Sequence, residues 1–246
     1  MKNAGAITFR PTLWPTFATL VLLPTLLALG FWQLDRAEEK RQLLAEFEAR
    51  GSETVPFTSG ETQNLRRYQR VSVQGRYDVR RQFLLDAMPG SGGAGYHVVD
   101  VFLPDGSDTA LLVDRGWIPV GDDRSVLPDR AAPQGRQALS GRLQTLPRPG
   151  LELAGGDPGT GEWPRVVLFP TIDELEQAAG TELFPMLLWL DPNLADGFER
   201  DWRPVSGGPD RHIAYAVQWF GLAAALLVIF IVVNVQRGTD GSANAG

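Results

Sequence analysis

Two uncharged apolar runs near the ends of the chain, and a middle whose hydrophobic residues recur at every second position, predict a membrane protein. The expected fold is two transmembrane α-helices flanking a mostly antiparallel β domain, barrel- or sandwich-like, with one short helix. The first run extends from Leu13 to Phe31 and the second from Ile213 to Val235, and neither contains a charged side chain. At roughly 1.5 Å per residue, each can cross a hydrocarbon layer about 30 Å thick. A helix in the core of a soluble protein rarely stays apolar on every face for that length. Trp14, Phe31 and Trp32 mark the ends of the first run, and Tyr215 and Trp219 lie near the start of the second. Such rings favour the membrane interface, where an apolar body and a hydrogen-bonding edge are both satisfied.

These observations set the boundaries. A tail over 1–12 precedes a first span over 13–34; an external domain occupies 35–211; a second span covers 212–235; and a disordered tail follows over 236–246. A cleaved signal peptide is the alternative for the first run, since Lys2 and Arg10 precede it and Ala28-Leu29-Gly30 has small residues at cleavage spacing. The run is longer than the usual apolar segment of a signal, and it continues into the helical pattern Asp35 to Arg50. The spanning reading is therefore preferred.

Charge suggests the orientation. The tails hold three of the 23 basic residues and one of the 29 acidic ones, so the middle carries the acidic excess. Basic short tails favour the inside, while long loops cross regardless of charge. Both termini are accordingly expected in the cytoplasm of a bacterium, with the large domain periplasmic and the chain multi-pass in the inner membrane. An acidic external domain argues against a nucleic-acid partner; the lipid bilayer is the expected one. The absence of cysteine removes disulfides, thiolate catalysis and thiolate metal sites.

The middle opens on a helical stripe of Leu43, Leu44 and Phe47, which Gly51 ends. Beyond it, strands are expected over 68–77, 82–88, 96–103, 109–118, 137–146, 165–169 and 186–190. Thr171 and Glu174 have capping-box spacing for a short helix that ends at Gly180. Residues 148–164 form a Gly/Pro-rich linker.

Few residues point to chemistry. Gly90-Ser91-Gly92-Gly93-Ala94-Gly95 matches a dinucleotide fingerprint by spacing, but a strand follows it where that motif needs a helix, so a hairpin loop is expected. No nucleophile–base–orienter set is present, and an enzyme is not expected. His97 lies in an alternating strand, facing solvent or a neighbouring strand. His212 stands at the mouth of the second span, with Tyr215, Ala216 and Trp219 on the same helical face. It is either hydrated among headgroups or a ligand. A single imidazole can hold haem iron, because the porphyrin supplies the equatorial donors, whereas a bare zinc or copper ion needs more protein ligands.

Four motifs occur in order along the chain. They are Leu29-Gly30-Phe31-Trp32-Gln33-Leu34-Asp35-Arg36 with Lys40 beyond, Gly95-Tyr96-His97-Val98-Val99, Leu112-Val113-Asp114-Arg115-Gly116-Trp117-Ile118-Pro119, and His212-Ile213-Ala214-Tyr215-Ala216-Val217-Gln218-Trp219-Phe220. Together they resemble the Surfeit locus protein 1 family of cytochrome c oxidase assembly factors over nearly the whole chain; Asp114 departs from that pattern, in which Asn is common.

The resemblance implies a helical hairpin with a β-rich external domain. It also implies a role in bringing haem a to the catalytic subunit I of a haem-copper oxidase, with the haem a synthesis machinery as a further partner. A cofactor-free factor that stabilises subunit I is the alternative. His212 matches the family's haem-associated histidine, and Tyr215, Trp219, Trp32 and Arg36 are the residues expected around the cofactor, Arg36 toward a propionate. Trp32, Gln33 and Arg36 share the outer end of the first span, where they could meet His212 across the hairpin. The competing roles are an interfacial anchor for Trp32 and a headgroup contact for Arg36. Arg115 and Trp117 alternate with Gly116 and are expected to share one face, as a cation–π brace or as a membrane-docking surface.

Overall fold

The computed structural model describes residues 7–58, 62–91, 93–121, 127, 131–148, 162–195, 197–202, 204 and 207–237. The chain divides into two compact units, Met1–Ala45 with Val205–Gly246, and Glu46–Pro204. The tail after Arg237 and most of the 148–164 linker lie outside the described residues.

The helical unit begins with β1 (Ile7–Phe9), and α1 (Leu13–Arg50) follows, its last turns belonging to the other unit. α3 (Asp210–Asn234) and β9 (Val235–Arg237) close the helical unit. Both helices are long and apolar enough to cross a membrane. Leu20, Val21, Val217, Val228, Ile229 and Val232 are all exposed, so apolar side chains cover the outward surface as well as the contact between the helices.

The helices meet through small residues. A Cβ on Gly30 would stand 2.6 Å from the Phe220 ring, so only glycine admits that approach. The same ring meets Phe31 edge-on with centroids 5.3 Å apart. At the opposite end the Asn234 side chain accepts from the Thr12 backbone N–H at 2.8 Å and donates to the Phe230 carbonyl at 2.7 Å. β1 and β9 pair antiparallel beside it, Ile7 opposite Arg237. This short pair is a feature the hydropathy pattern does not reveal.

The strand-rich unit contains β2 (Thr54–Pro56), β3 (Arg70–Gly90), β4 (Gly93–Pro104), β5 (Ala110–Pro119), β6 (Arg136–Gln144), β7 (Arg165–Val167), α2 (Ile172–Ala179) and β8 (Leu183–Leu190). The two strands expected over 68–77 and 82–88 are one, β3, whose pairing with β4 shifts register between Tyr77 and Gln82. Its first half pairs β6 and its second half β4. With β4–β5, β5–β8 and β6–β8, the pairings form a circuit that returns to β3.

The sheet is mixed. Antiparallel ladders join β3–β4, β3–β6, β4–β5 and β6–β8, while β2–β3, β3–β7 and β5–β8 run parallel. Gly90 pairs with Gly93, so the glycine-rich segment turns a hairpin, as the strand after it requires. The capping box forms as expected: the Glu174 N–H donates to Thr171 Oγ1 at 3.3 Å, and the Thr171 N–H donates to Glu174 Oε2 at 2.7 Å.

The core lies on both faces of this sheet. Val71, Phe102, Leu111, Val113 and Leu188 form one cluster; Phe83, Val99, Leu112, Leu175 and Leu187 form another beneath α2. Each such side chain, fully buried, contributes about 1.5–3 kcal/mol.

Candidate functional site

His212 occupies the first turn of α3 and is partly buried. Its Nδ1 lies 2.8 Å from Oε1 of Gln33 on α1. An amide oxygen only accepts, so a neutral ring in this contact donates from Nδ1 and carries its lone pair on Nε2. The Arg211 Nε–H points at that Nε2 from 3.5 Å, a long contact of the same polarity.

Of the other expected residues, Tyr215 and Trp32 are 52 % and 49 % exposed. Ala216 is buried. The Trp219 indole nitrogen is buried with no hydrogen-bond partner among the described residues, a donor of the kind that a bound polar group satisfies. Arg36 turns to its own helix, pairing with Glu39 at 2.6 Å and lying over the Trp32 ring at 5.8 Å. The partner the structure brings to His212 is therefore Gln33. Of the three residues of the first motif expected to meet His212, Gln33 does so, while Arg36 pairs within its own helix.

The donor set fits a haem iron better than a bare metal ion. One imidazole can supply an axial position through Nε2, and no group of three or more His, Asp or Glu that could hold a metal ion occurs among the described residues.

Arg115 and Trp117 lie in the other unit. The shared face expected for them is not what β5 adopts. His97 pairs with Trp117 and Val99 with Asp114, so Val98 alone faces both Arg115 and Gly116. This is a β-bulge, and Gly116 takes φ +115° within it. The extra residue reverses the alternation. Arg115 stands with Asp100, bonded at 3.0 Å, with its guanidinium over the Phe198 and Tyr77 rings. Trp117 packs with Val99 and Val101 on the opposite face, and its Nε1–H donates to the Met88 carbonyl at 2.9 Å. Arg115 and Trp117 are only 3 % and 6 % exposed, so neither forms a docking surface.

His97 faces the neighbouring strand. Its Nδ1 is 2.7 Å from Asp114 Oδ2, while Asp114 Oδ1 accepts from the Gly116 N–H at 3.0 Å. The ring lies against Trp202, which stacks on Trp189 at 4.9 Å. Burial opposes the charged form of His97, but the charge and hydrogen bond of Asp114 outweigh it and raise the pKa above the usual 6.5. A histidine with a raised folded-state pKa adds stability that is fully present below its unfolded pKa. That stability is lost as pH rises through the folded value. Urea unfolding of the wild-type protein should thus show stability falling above about pH 6.5, and His97→Gln should flatten that slope; an unchanged slope would refute the assignment.

Comparison with known proteins extends over most of the chain. A SURF1-like protein of Rickettsia felis is 26% identical, the match covering 87% of this chain and 93% of that protein. Surfeit locus protein 1 of Homo sapiens is 25% identical over 90% of this chain and 78% of its own length, and the Mus musculus protein of the same name is 24% identical over 89% and 75%. The family model for the SURF1 family matches residues 20–224, which takes in α1 from its second turn, the whole strand-rich unit and α3 as far as Ala224, and on that match the chain belongs to the SURF1 family.

Proposed function

We propose that this protein is a membrane-bound assembly factor for haem-copper cytochrome c oxidase, and that it carries haem a as cargo to the catalytic subunit I. Family membership supports the assembly role. The observation that supports the cargo role is the His212 imidazole, whose Nδ1 is engaged by Gln33 and whose Nε2 meets only the long Arg211 contact at 3.5 Å. His212 would hold the iron through Nε2. Trp219 would donate its indole N–H to a polar substituent of the ring, and Trp32 and Tyr215 would flank the macrocycle. Arg36 would reach a propionate by leaving Glu39, an exposed pair that is cheap to break. A single axial protein ligand suits delivery, since it releases the cargo more readily than a pair would.

The two apolar helices would anchor the protein in a bacterial inner membrane, with both tails cytoplasmic and the strand-rich unit periplasmic. The haem a synthesis machinery is the proposed source of the cargo.

One observation favours a second reading, a cofactor-free factor that stabilises subunit I. The hydrogen bond to Gln33 gives His212 a structural role between the helices without any ligand. Full-length protein purified from cells that make haem a separates the two. The cargo reading expects a Soret band that His212→Ala reduces at least about tenfold, since even loss of a ligand's outer partner costs about that much, together with loss of oxidase assembly in that strain. A Soret band that is unaltered in His212→Ala sinks it, and a wild-type protein that supports oxidase assembly without any Soret band supports the cofactor-free reading.

A further inference from the structure

We propose that Gln33 sets the tautomer of His212, holding the hydrogen on Nδ1 so that Nε2 presents its lone pair; the use made of that lone pair rests on the cargo reading above. Two contacts from different elements agree on the tautomer. The Gln33 oxygen on α1 can only accept from Nδ1, and the Arg211 Nε–H on α3 can only donate to Nε2. An unconstrained neutral imidazole prefers its hydrogen on Nε2, the arrangement that would block ligation there. Gln33 therefore holds the ring in the less favoured form.

The surroundings allow such a hold to be specific. Gly30, one turn before Gln33, admits the Phe220 ring and brings the two helices close in this part of the hairpin. Accepting from Nδ1–H also pushes electron density toward Nε2, which makes it a more basic ligand. Gln33 touches no reacting atom. It is a positioning residue that acts through His212.

The test uses full-length protein in detergent micelles, labelled with 15N-histidine. With only two histidines in the chain, the spectrum contains only His97 and His212. In the protein without haem, His212 should appear as the Nδ1–H form. Gln33→Leu should shift it to the Nε2–H form, while Gln33→Glu, which keeps an accepting oxygen, should not. Titration with haem a should then show affinity reduced about ten- to a hundredfold by Gln33→Leu and largely kept by Gln33→Glu, the range typical for loss of such an outer partner.

A wild-type His212 in the Nε2–H form overturns the proposal, whether or not the variants fold. So does a tautomer that Gln33→Leu leaves unchanged. If the tautomer behaves as expected but haem a binds wild type and His212→Ala equally, the role of Gln33 stands and the cargo reading fails.

Discussion

Arg115→Met should lower the stability of the protein by about 3–5 kcal/mol, the usual result of removing one partner from a buried ion pair. Asp100 is 1 % exposed and bonds to the Arg115 guanidinium and, at 2.7 Å, to the Gln82 amide. Taking away the cation leaves a carboxylate that water cannot reach, and the Phe198 and Tyr77 rings lose the charge held over them. For a domain of this size the cost corresponds to a melting temperature lower by roughly 10 °C or more. The double variant Arg115→Met, Asp100→Leu should be less damaging than the single one, because no buried charge remains. Thermal melts of the full chain followed by tryptophan fluorescence measure both. Equal melting temperatures for wild type and Arg115→Met would show that the pair contributes nothing.

Gly116→Val should be comparably severe, at about 3 kcal/mol, for a reason unrelated to charge. At φ +115° a β-branched residue is strained whatever room it has. It has no room either: a Cβ there would stand 2.6 Å from the Glu199 carbonyl oxygen, on the segment that bonds back to Trp117. The bulge would have to open or Glu199 move away. The same melts check this variant, and one that melts within a degree or two of wild type would show that the bulge is not required.

How much of this could be read in advance varied with how local the signal was. Two uncharged runs are visible one residue at a time; Asp210–Asn234 follows the second, and Leu13–Arg50 joins the first to the helical pattern from Asp35 to Arg50. The capping box of α2 is equally local, three residues apart. β8 starts at Leu183, before the expected 186, because Pro185 reads as a breaker; in the sheet it is an exposed position in a stretch where the register with β5 slips. Partner choice was not legible, since nothing within β5 and β8 announces that they run parallel.

In the candidate site, alternation misled at Arg115 and Trp117 because one inserted residue reverses every face beyond it. The glycine between them was the sign of a bulge in an otherwise bulky strand. That the first motif would meet His212 followed from reading the two spans as a hairpin, but which of Trp32, Gln33 and Arg36 makes the contact was beyond the reach of any periodicity. His97 could be assigned to a strand, but the choice between solvent and its neighbour depended on which residue lay opposite.

Those long separations bear on when the site can come into being. Gln33 and His212 are 179 positions apart, and Thr12 and Asn234 are 222. Synthesis proceeds from the N-terminus, so α1 emerges long before either of its partners exists. A nascent or truncated chain that lacks α3 has no histidine at this place and lacks the Asn234 contact to Thr12. The strand-rich unit is complete in sequence before the helix that carries His212 begins. The contact between Gln33 and His212 is therefore among the last the chain can make, and it forms only once everything between the two helices has been synthesised.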